Sequence, residues 1–454
     1  MPDAASTPDK RSLLLLVAIL ASFVAFLDGT IVTVALPAIS AELGGGLPTQ
    51  QWAVNAYLLT LGALILLAGS LSDSYGRLLV LRIGLFGFGI ASLACALAWS
   101  PEFLIFSRAV QGMGAALLVP SSLALITTAY QDRERARAIG TWTAWTGTAA
   151  IVGPLLGGIL VDWVSWRLIF AVNVLPVAIT LLLMTGLQES PRNRMPLDIP
   201  GALLAVGGLA GTVYALIEQE RLGWTHPAVI LPLAAGIVAL VLFVVREART
   251  PAPMMPLSLF RARNFRYGNL VTAAAYAAIA LGSFAVTVFV QESGGFTATE
   301  AGLASLPIPI ALLLLSTYFG NLAGKYGPRI FMTAGPILCG AGFLLMLTAS
   351  PPLNFWTQLL PGQLLFSFGL AVTVAPLTAA VLGALNETDA GIGSAVNNAV
   401  ARVAGLVAVA LVGTISAGAL DFPGFHRTVL ATAILFIAGG LIAFVGIRTP
   451  KPAG

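Results

Sequence analysis

Gly69-Ser70-Leu71-Ser72-Asp73-Ser74-Tyr75-Gly76-Arg77 closes one run of apolar residues, 51–71, and leads into another, 79–100. Each run is long enough to cross a hydrocarbon layer about 30 Å thick as a helix rising about 1.5 Å per residue. The polar, glycine-punctuated stretch between them has no such length and reads as the turn that joins two membrane spans. A second copy lies 251 residues on, at Gly320-Asn321-Leu322-Ala323-Gly324-Lys325-Tyr326-Gly327-Pro328-Arg329. It joins the runs 300–320 and 330–349 in the same way.

Outward from these two turns the pattern repeats along the whole chain. Apolar runs cover 12–38, 51–71, 79–100, 103–127, 138–161, 168–187, 199–217, 227–245, 268–290, 300–320, 330–349, 353–383, 391–419 and 428–447, fourteen in all. The first follows Lys10 and Arg11 but is too long for a secretory signal and lacks a small-residue cleavage site, so it reads as a retained span. The run 353–383 carries Pro361 and Pro376, which suggest bending rather than a second helix. Apolar residues make up 58% of the 454 positions and charged residues 9%, against roughly 25% charge in a soluble domain. A water-facing surface cannot be built from that supply.

The two turns occupy equivalent places, between spans 2 and 3 and between spans 10 and 11. The chain therefore reads as an all-α integral membrane protein of two six-helix bundles with two extra central helices. Its expected parts are a cytoplasmic tail (1–11), an N-terminal bundle (12–190), two additional spans (191–246), a cytoplasmic linker (247–266), a C-terminal bundle (267–447) and a short cytoplasmic tail (448–454). Parallel six-span repeats are the architecture of secondary transporters that alternate access around a midplane site. Gly207-x-x-x-Gly211 in span 7 permits close helix packing and bears weakly on a dimer; a monomer is expected. The linker, with Pro251, Pro253 and Pro256 followed by Leu257, Leu259 and Phe260 among arginines, reads as an interfacial tether or a plain solvated connection.

Sidedness comes from the basic residues. With the amino terminus in the cytoplasm, 18 of the 23 lysines and arginines fall inside, Arg192, Arg194 and Lys451 among them. Only Arg167, Arg221 and Arg427 fall outside, and Arg108 and Arg402 lie within spans. This bias fits fourteen spans with both termini cytoplasmic, in a cell (inner or plasma) membrane. It also accounts for the net charge of +4 without nucleic acid as a partner. Cys95 and Cys339 sit inside apolar runs with no ligand-spaced neighbour, so neither a disulfide framework nor a metal site is implied. The two histidines, His226 and His426, fall in external loops, and no hydrolase or nucleotide-binding constellation is present. An enzyme or an ATP-driven pump is not expected.

Ionisable groups inside a bilayer are costly and persist where they face a cavity or one another. Three occur here: Asp28, Arg108 and Arg402. Burial favours a neutral carboxyl and a nearby cation favours an ionised one, so Asp28 has the outline of a proton-coupling site; the alternative is an aspartate bonded to its neighbours merely to fix packing. Arg108 stays charged in any environment and provides a countercharge, with Gln111 one turn on to share its face. Arg402 follows Asn397 and Asn398 with no acid in the later spans, and either faces water or an anionic cargo or snorkels to a membrane surface. Asp73 and Arg77 form a candidate charge latch, lopsided because Gly324 replaces the acid in the second copy. Gly147, Gly153, Pro154, Gly157 and Gly158 in span 5 suggest close packing and a hinge. Trp52, Tyr57, Trp142, Trp145 and Tyr276 are candidates for lining a cavity or for packing.

Taken in order, these segments resemble the major facilitator superfamily, and within it the fourteen-span drug:proton antiporter family. The stretch 27–37 is similar to that family's Leu-Asp-x-Thr-Ile-Val-Asn-Val-Ala-Leu-Pro signature, with Thr33 in place of asparagine. The stretch 69–77 resembles the loop motif between spans 2 and 3, with Leu78 where a basic residue is common. Arg108 to Gly114 resembles the span 4 motif, and 153–158 the span 5 antiporter motif, with Ala149 for an expected glycine. Trp166-Arg167-x-Ile169-Phe170-x-x-Asn173 is similar to the start of span 6, with Pro176 one residue late. The resemblance implies export of small, often lipophilic molecules in exchange for protons, with no cofactor beyond the proton gradient. It implies that Asp28 stands at the family's coupling acid and Arg108 at its span 4 arginine. The absence of further acids in later spans implies neutral, weakly cationic or anionic cargo rather than dications. The alternatives are an exporter of one metabolite and, outside transport, a receptor or sensor on a transporter fold.

Overall fold

The computed structural model describes residues 8–188, 197–251 and 253–448. Arg192, Arg194 and Lys451 lie outside these residues, as does the side chain of Arg133. Every regular element among the described residues is helical. Fourteen helices are long and apolar enough to span a membrane: α1 (Lys10–Leu43), α2 (Gly46–Tyr75), α3 (Arg77–Ala96), α4 (Pro101–Ala129), α5 (Glu134–Trp163), α6 (Leu168–Gly186), α7 (Ile199–Leu222), α8 (Pro227–Arg249), α9 (Arg263–Glu292), α10 (Ala298–Tyr326), α11 (Pro328–Thr348), α12 (Phe355–Leu382), α13 (Asp389–Ala410) and α14 (Phe422–Gly446). Each falls on one of the fourteen apolar runs, and the chain is a multi-pass membrane protein.

Helix ends differ from the run ends for a physical reason. Hydropathy stops where the hydrocarbon stops, whereas a helix continues as long as its backbone groups pair internally. Thus α9 begins at Arg263 rather than 268, and α14 at Phe422 rather than 428. His426 and Arg427, expected in an external loop, lie in the first turns of α14. There His426 Nε2 bonds Ala349 O at 2.8 Å and Arg427 donates to Ser416 O. Arg221 closes α7, where it pairs with Glu218 at 3.0 Å. In the opposite sense, the run 391–419 is not one helix: regular structure stops at Ala410, resumes for Val412–Ser416 and ends at Ala417, whose φ is 57°. The run 353–383 is one helix, entered through a π-helical turn, Phe355–Leu359. Pro361 follows directly on this turn, at the start of the regular α-helical part.

The two equivalent turns have the same backbone. Gly76 and Gly327 end α2 and α10 with φ of 105° and 86°, a region L side chains rarely adopt, and α3 and α11 begin on the next residue. Starts are fixed elsewhere by capping. Ser100 Oγ accepts from Phe103 N ahead of Pro101, Asp421 accepts from Gly424 N ahead of Pro423, and Thr297 with Glu300 forms a capping box.

The chain divides into two compact units, Met1–Val206 and Gly207–Gly454. The core of the first packs Val17, Ala21 and Val24 of α1 against Leu61 of α2, Leu81, Leu85 and Phe88 of α3 and Leu118 of α4. The core of the second is aromatic. Phe289 and Phe425 stack at 3.9 Å between ring centroids, and Phe343 meets Phe366 and Phe436 at 4.9 and 5.9 Å.

In the second unit, Gly211 and Gly236 bring α7 and α8 close: a Cβ on Gly211 would meet Gly236 Cα at 3.2 Å, and one on Gly236 would meet Gly208 O at 2.9 Å. Gly207 faces open space, so Gly211 serves packing within the chain and Gly207 has no part in it. Part of the linker is packed rather than solvated. Leu257–Arg261 forms a short helix whose Leu259 is buried with Phe265, Met332 and Val381, and the Glu247 carboxylate accepts from Met255 N at 2.7 Å.

Candidate coupling site in the first unit

Asp28 is wholly buried in α1, and Arg108 in α4 is 1% exposed. The guanidinium donates through one Nη to Asp28 Oδ2 and, at 2.6 Å, to Gln111 Oε1; its Nε donates to Ala53 O at 2.8 Å. The other carboxylate oxygen, Asp28 Oδ1, accepts from Gln111 Nε2 at 2.8 Å and from Asn173 Nδ2 at 2.9 Å. Gln111 Nε2 also donates to Ser92 Oγ at 2.8 Å. Every hydrogen bond to the two Asp28 oxygens comes from an N–H donor. Five helices, α1, α2, α3, α4 and α6, thus supply one closed polar cluster inside an apolar core.

Aromatic faces complete the enclosure. The Arg108 guanidinium carbon lies 4.5 Å from the centroid of Tyr57 and 5.5 Å from that of Phe170. Such cation–π contacts favour a desolvated arginine. The Tyr57 hydroxyl donates to Ala25 O at 3.1 Å, which holds the ring one turn from Asp28. Ring and carboxylate therefore compensate the same charge from two directions.

The backbone around Asp28 is irregular. Val32–Ala35 tightens into a 3₁₀ turn within α1, and Thr33 Oγ1 donates to Thr30 O at 2.7 Å. Thr30 Oγ1 reaches across to Ala149 O at 3.1 Å, just past a break in α5 at Thr148. Below that break α5 presses on α1. A Cβ on Gly153 would strike Thr30, and one on Gly157 would lie 2.9 Å from Ile31 O and 2.9 Å from Val34 Cγ2. Pro154 is buried beside them within the helix. Gly147 faces open space and takes no part in this contact.

Asp28 and Arg108, the positions at which the resemblance places a coupling acid and a span 4 arginine, thus lie in one buried pair, and the glycines of α5 pack on α1 beside it. A sequence model of the Major Facilitator Superfamily matches residues 18–409. The chain belongs to the Major Facilitator Superfamily. Among relatives, a puromycin resistance protein of Streptomyces alboniger is 35% identical over 92% of this chain and 84% of its own length. A methylenomycin A resistance protein of Streptomyces coelicolor is 34% identical over 94% of this chain and 90% of its own. A cephamycin export protein of Amycolatopsis lactamdurans is 33% identical over 97% and 92%. Among solved structures, a peptide transporter POT in complex with sulfate superposes with a TM-score of 0.73 at 17% identity, covering 98% of this chain and 95% of that one. That likeness is one of fold. The family and the names of the relatives are those of transporters.

Within this superfamily member, the remaining candidates fall in separate places. Asp73 Oδ1 accepts from Arg77 Nε and Nη at 3.2 and 3.0 Å, and Arg77 also bonds Thr128 Oγ1, so the pair joins the α2–α3 turn to the end of α4. The equivalent Arg329 donates instead to Phe444 O at 3.0 Å. Trp145 is 59% exposed at the end of the first segment of α5 and does not touch the Asp28 cluster. Trp142 donates to Ser22 Oγ at 3.1 Å. Tyr276, Asn398 and Arg402 lie in the second unit, on α9 and α13. Asn173 and Ser92 belong to the cluster but not to the expected set. Asn173 carried a signal in the span 6 motif, at the point where α6 breaks between Leu168–Ala171 and Val174–Leu183.

The cluster makes a stability prediction. Removing one partner of a buried pair leaves an uncompensated charge and costs about 3–5 kcal/mol. Arg108→Ala and Asp28→Asn should each lower the melting temperature in detergent markedly. The double variant should recover part of the loss, with a coupling of about 1–3 kcal/mol. Strictly additive losses would show that the two charges do not stabilise one another.

Proposed function

We propose that this protein is a secondary active exporter of small, lipophilic organic molecules, drugs or toxic compounds among them, driven by exchange for protons. It works in the cell membrane with both termini in the cytoplasm, as the distribution of lysine and arginine indicates. The observation that carries the proton half of the reading is the buried Asp28 carboxylate held by Arg108, Gln111 and Asn173. The names of the relatives support the export half: puromycin resistance, methylenomycin A resistance and cephamycin export.

The mechanism follows from the charge balance. In the described conformation Asp28 is ionised and neutralised by Arg108, and no proton is needed for the core to be stable. Opening α1 against α4 and α6 exposes the carboxylate to water on the proton-rich side, where it takes a proton and frees the arginine. Closing again expels that proton to the cytoplasm as the Arg108 contact reforms, while cargo moves the opposite way. The six-span repeats, 12–190 and 267–447, are the moving parts of alternating access. The spans 191–246 and the linker 247–266 connect them.

Everted membrane vesicles with an acid interior test this reading. A fluorescent lipophilic dye should accumulate only while the pH gradient lasts and leave when a protonophore collapses it. Accumulation indifferent to the gradient would contradict antiport.

A further inference from the structure

The described residues of the second unit leave the charge of Arg402 unanswered. Arg402 lies inside α13 (Asp389–Ala410), eight residues before its end, about 12 Å at about 1.5 Å per residue. Among the described residues it makes no hydrogen bond or ion pair, and the titratable group within its electrostatic reach is the hydroxyl of Tyr276 on α9. An arginine held by nothing in a membrane span must meet water or a ligand, because hydrocarbon offers it no acceptor.

The rest of α13 says which side it faces. Ser394, Asn398 and Arg402 recur every four residues and form a row that is exposed or half-buried. Val403, Val407 and Leu411 form a second half-buried row. At about 100° per residue the two rows lie about 180° apart on the helix. The valine–leucine row has the composition of a lipid face, and the serine–asparagine–arginine row does not. The serine–asparagine–arginine row borders the contact with α9: Asn397 Nδ2 donates to Asn269 Oδ1 at 3.1 Å and Thr272 Oγ1 at 2.8 Å, and Gly405, which shares the face of that row, packs on Ala280. That satisfied network fixes the rotation of α13 and so the direction of Arg402 and Asn398.

We propose that Arg402 and Asn398 form a recognition site for a carboxylate on the exported molecule, so that the cargo is an amphiphilic organic acid. The inference rests on the export reading above and names its substrate class. The guanidinium offers a planar fork that matches a carboxylate in two parallel hydrogen bonds, and the Asn398 amide, one turn away on the same row, adds a further donor. Among the described residues no acid forms an ion pair with Arg402.

The test uses a rhodamine-type dye bearing a free carboxylate and its methyl ester, which differ in that group alone. Binding to purified full-length protein is read by fluorescence anisotropy, and transport in everted vesicles. The wild type should bind and accumulate the acid. Arg402→Gln should weaken acid binding at least about tenfold, as loss of a charge-assisted hydrogen bond implies, and leave the ester within about twofold. Asn398→Asp, which places a carboxylate one turn from Arg402, should have the same selective effect, and Arg402→Lys should retain part of the affinity. Retained ester binding shows that a variant is folded. Equal affinity of the wild type for acid and ester, or equal loss of both in Arg402→Gln and Asn398→Asp, would overturn the inference. Selective acid binding without gradient-driven transport would leave the site standing and refute the export reading. Gradient-driven transport of the ester without acid selectivity would do the reverse.

Discussion

Asp28→Asn is expected to abolish gradient-driven accumulation of cargo, by about 100-fold or more, the lower end of what loss of an essential proton-transfer group does. An amide has no proton to exchange at any accessible pH. It is close to the carboxylate in size, and its oxygen can still accept from Gln111 and Asn173, which approach Asp28 Oδ1 at 2.8 and 2.9 Å. Its nitrogen, however, meets the Arg108 Nη that the carboxylate oxygen now accepts from, donor against donor. The pair then has no reason to close, and the exchange of proton for closure is lost. Downhill movement of cargo along its own gradient should be reduced less than gradient-driven accumulation, because it needs no proton. Asp28→Glu keeps a titratable group and should retain part of the coupling. A variant Asp28→Asn that still responds to the pH gradient would place the proton elsewhere.

Gly157→Leu is expected to reduce transport at least tenfold and to lower the melting temperature, with overpacking costing about 1–3 kcal/mol or more. The cause is steric and local. A first side-chain atom at Gly157 would already lie 2.8 Å from Ile31 Cγ1 and 2.9 Å from the Ile31 carbonyl, so a leucine must drive α5 away from α1. Ile31 is three residues from Asp28, and the displaced segment is the one that carries the carboxylate to Arg108. Gly147→Leu provides the comparison, because a Cβ there meets nothing within 4 Å. It should transport and melt like the wild type. Equal damage at both positions would show that glycine matters in α5 for backbone freedom rather than for contact with α1.

The parts of this structure that hydropathy and charge determine were legible in the sequence. A chain with 9% charged residues cannot hide an ionisable group in its spans, so Asp28, Arg108 and Arg402 stood out as soon as the spans were drawn. Gln111 followed from helical spacing. The turn at Gly69 to Arg77 and its counterpart had the same residue order, and Gly76 and Gly327 prove to have the same unusual backbone.

What stayed hidden depends on contacts between distant residues. Asn173 bonds Asp28 across 145 positions, and although the span 6 motif marks the residue, nothing in the sequence names its partner. Ser92 is harder still, because a hydroxyl can satisfy itself on its own helix. Gly147 and Gly157 of α5 look alike in sequence, and of these two only Gly157 touches α1. His426 lies in a helix rather than a loop because polarity marks the edge of the hydrocarbon and not the end of a helix. Which row of α13 carries Arg402 outward depended on Asn397 finding Asn269 and Thr272.

The claim that Asp28 is the group that exchanges proton for cargo is tested most directly by counting protons. Purified protein in weakly buffered detergent solution is mixed with a saturating transported dye over a series of falling pH values, so that the carboxyl carries its proton before dye is added, and the pH change is followed with an indicator. Proton release on binding by the wild type, and none by Asp28→Asn at equal dye occupancy, is the expected result. The same release from both proteins would contradict it.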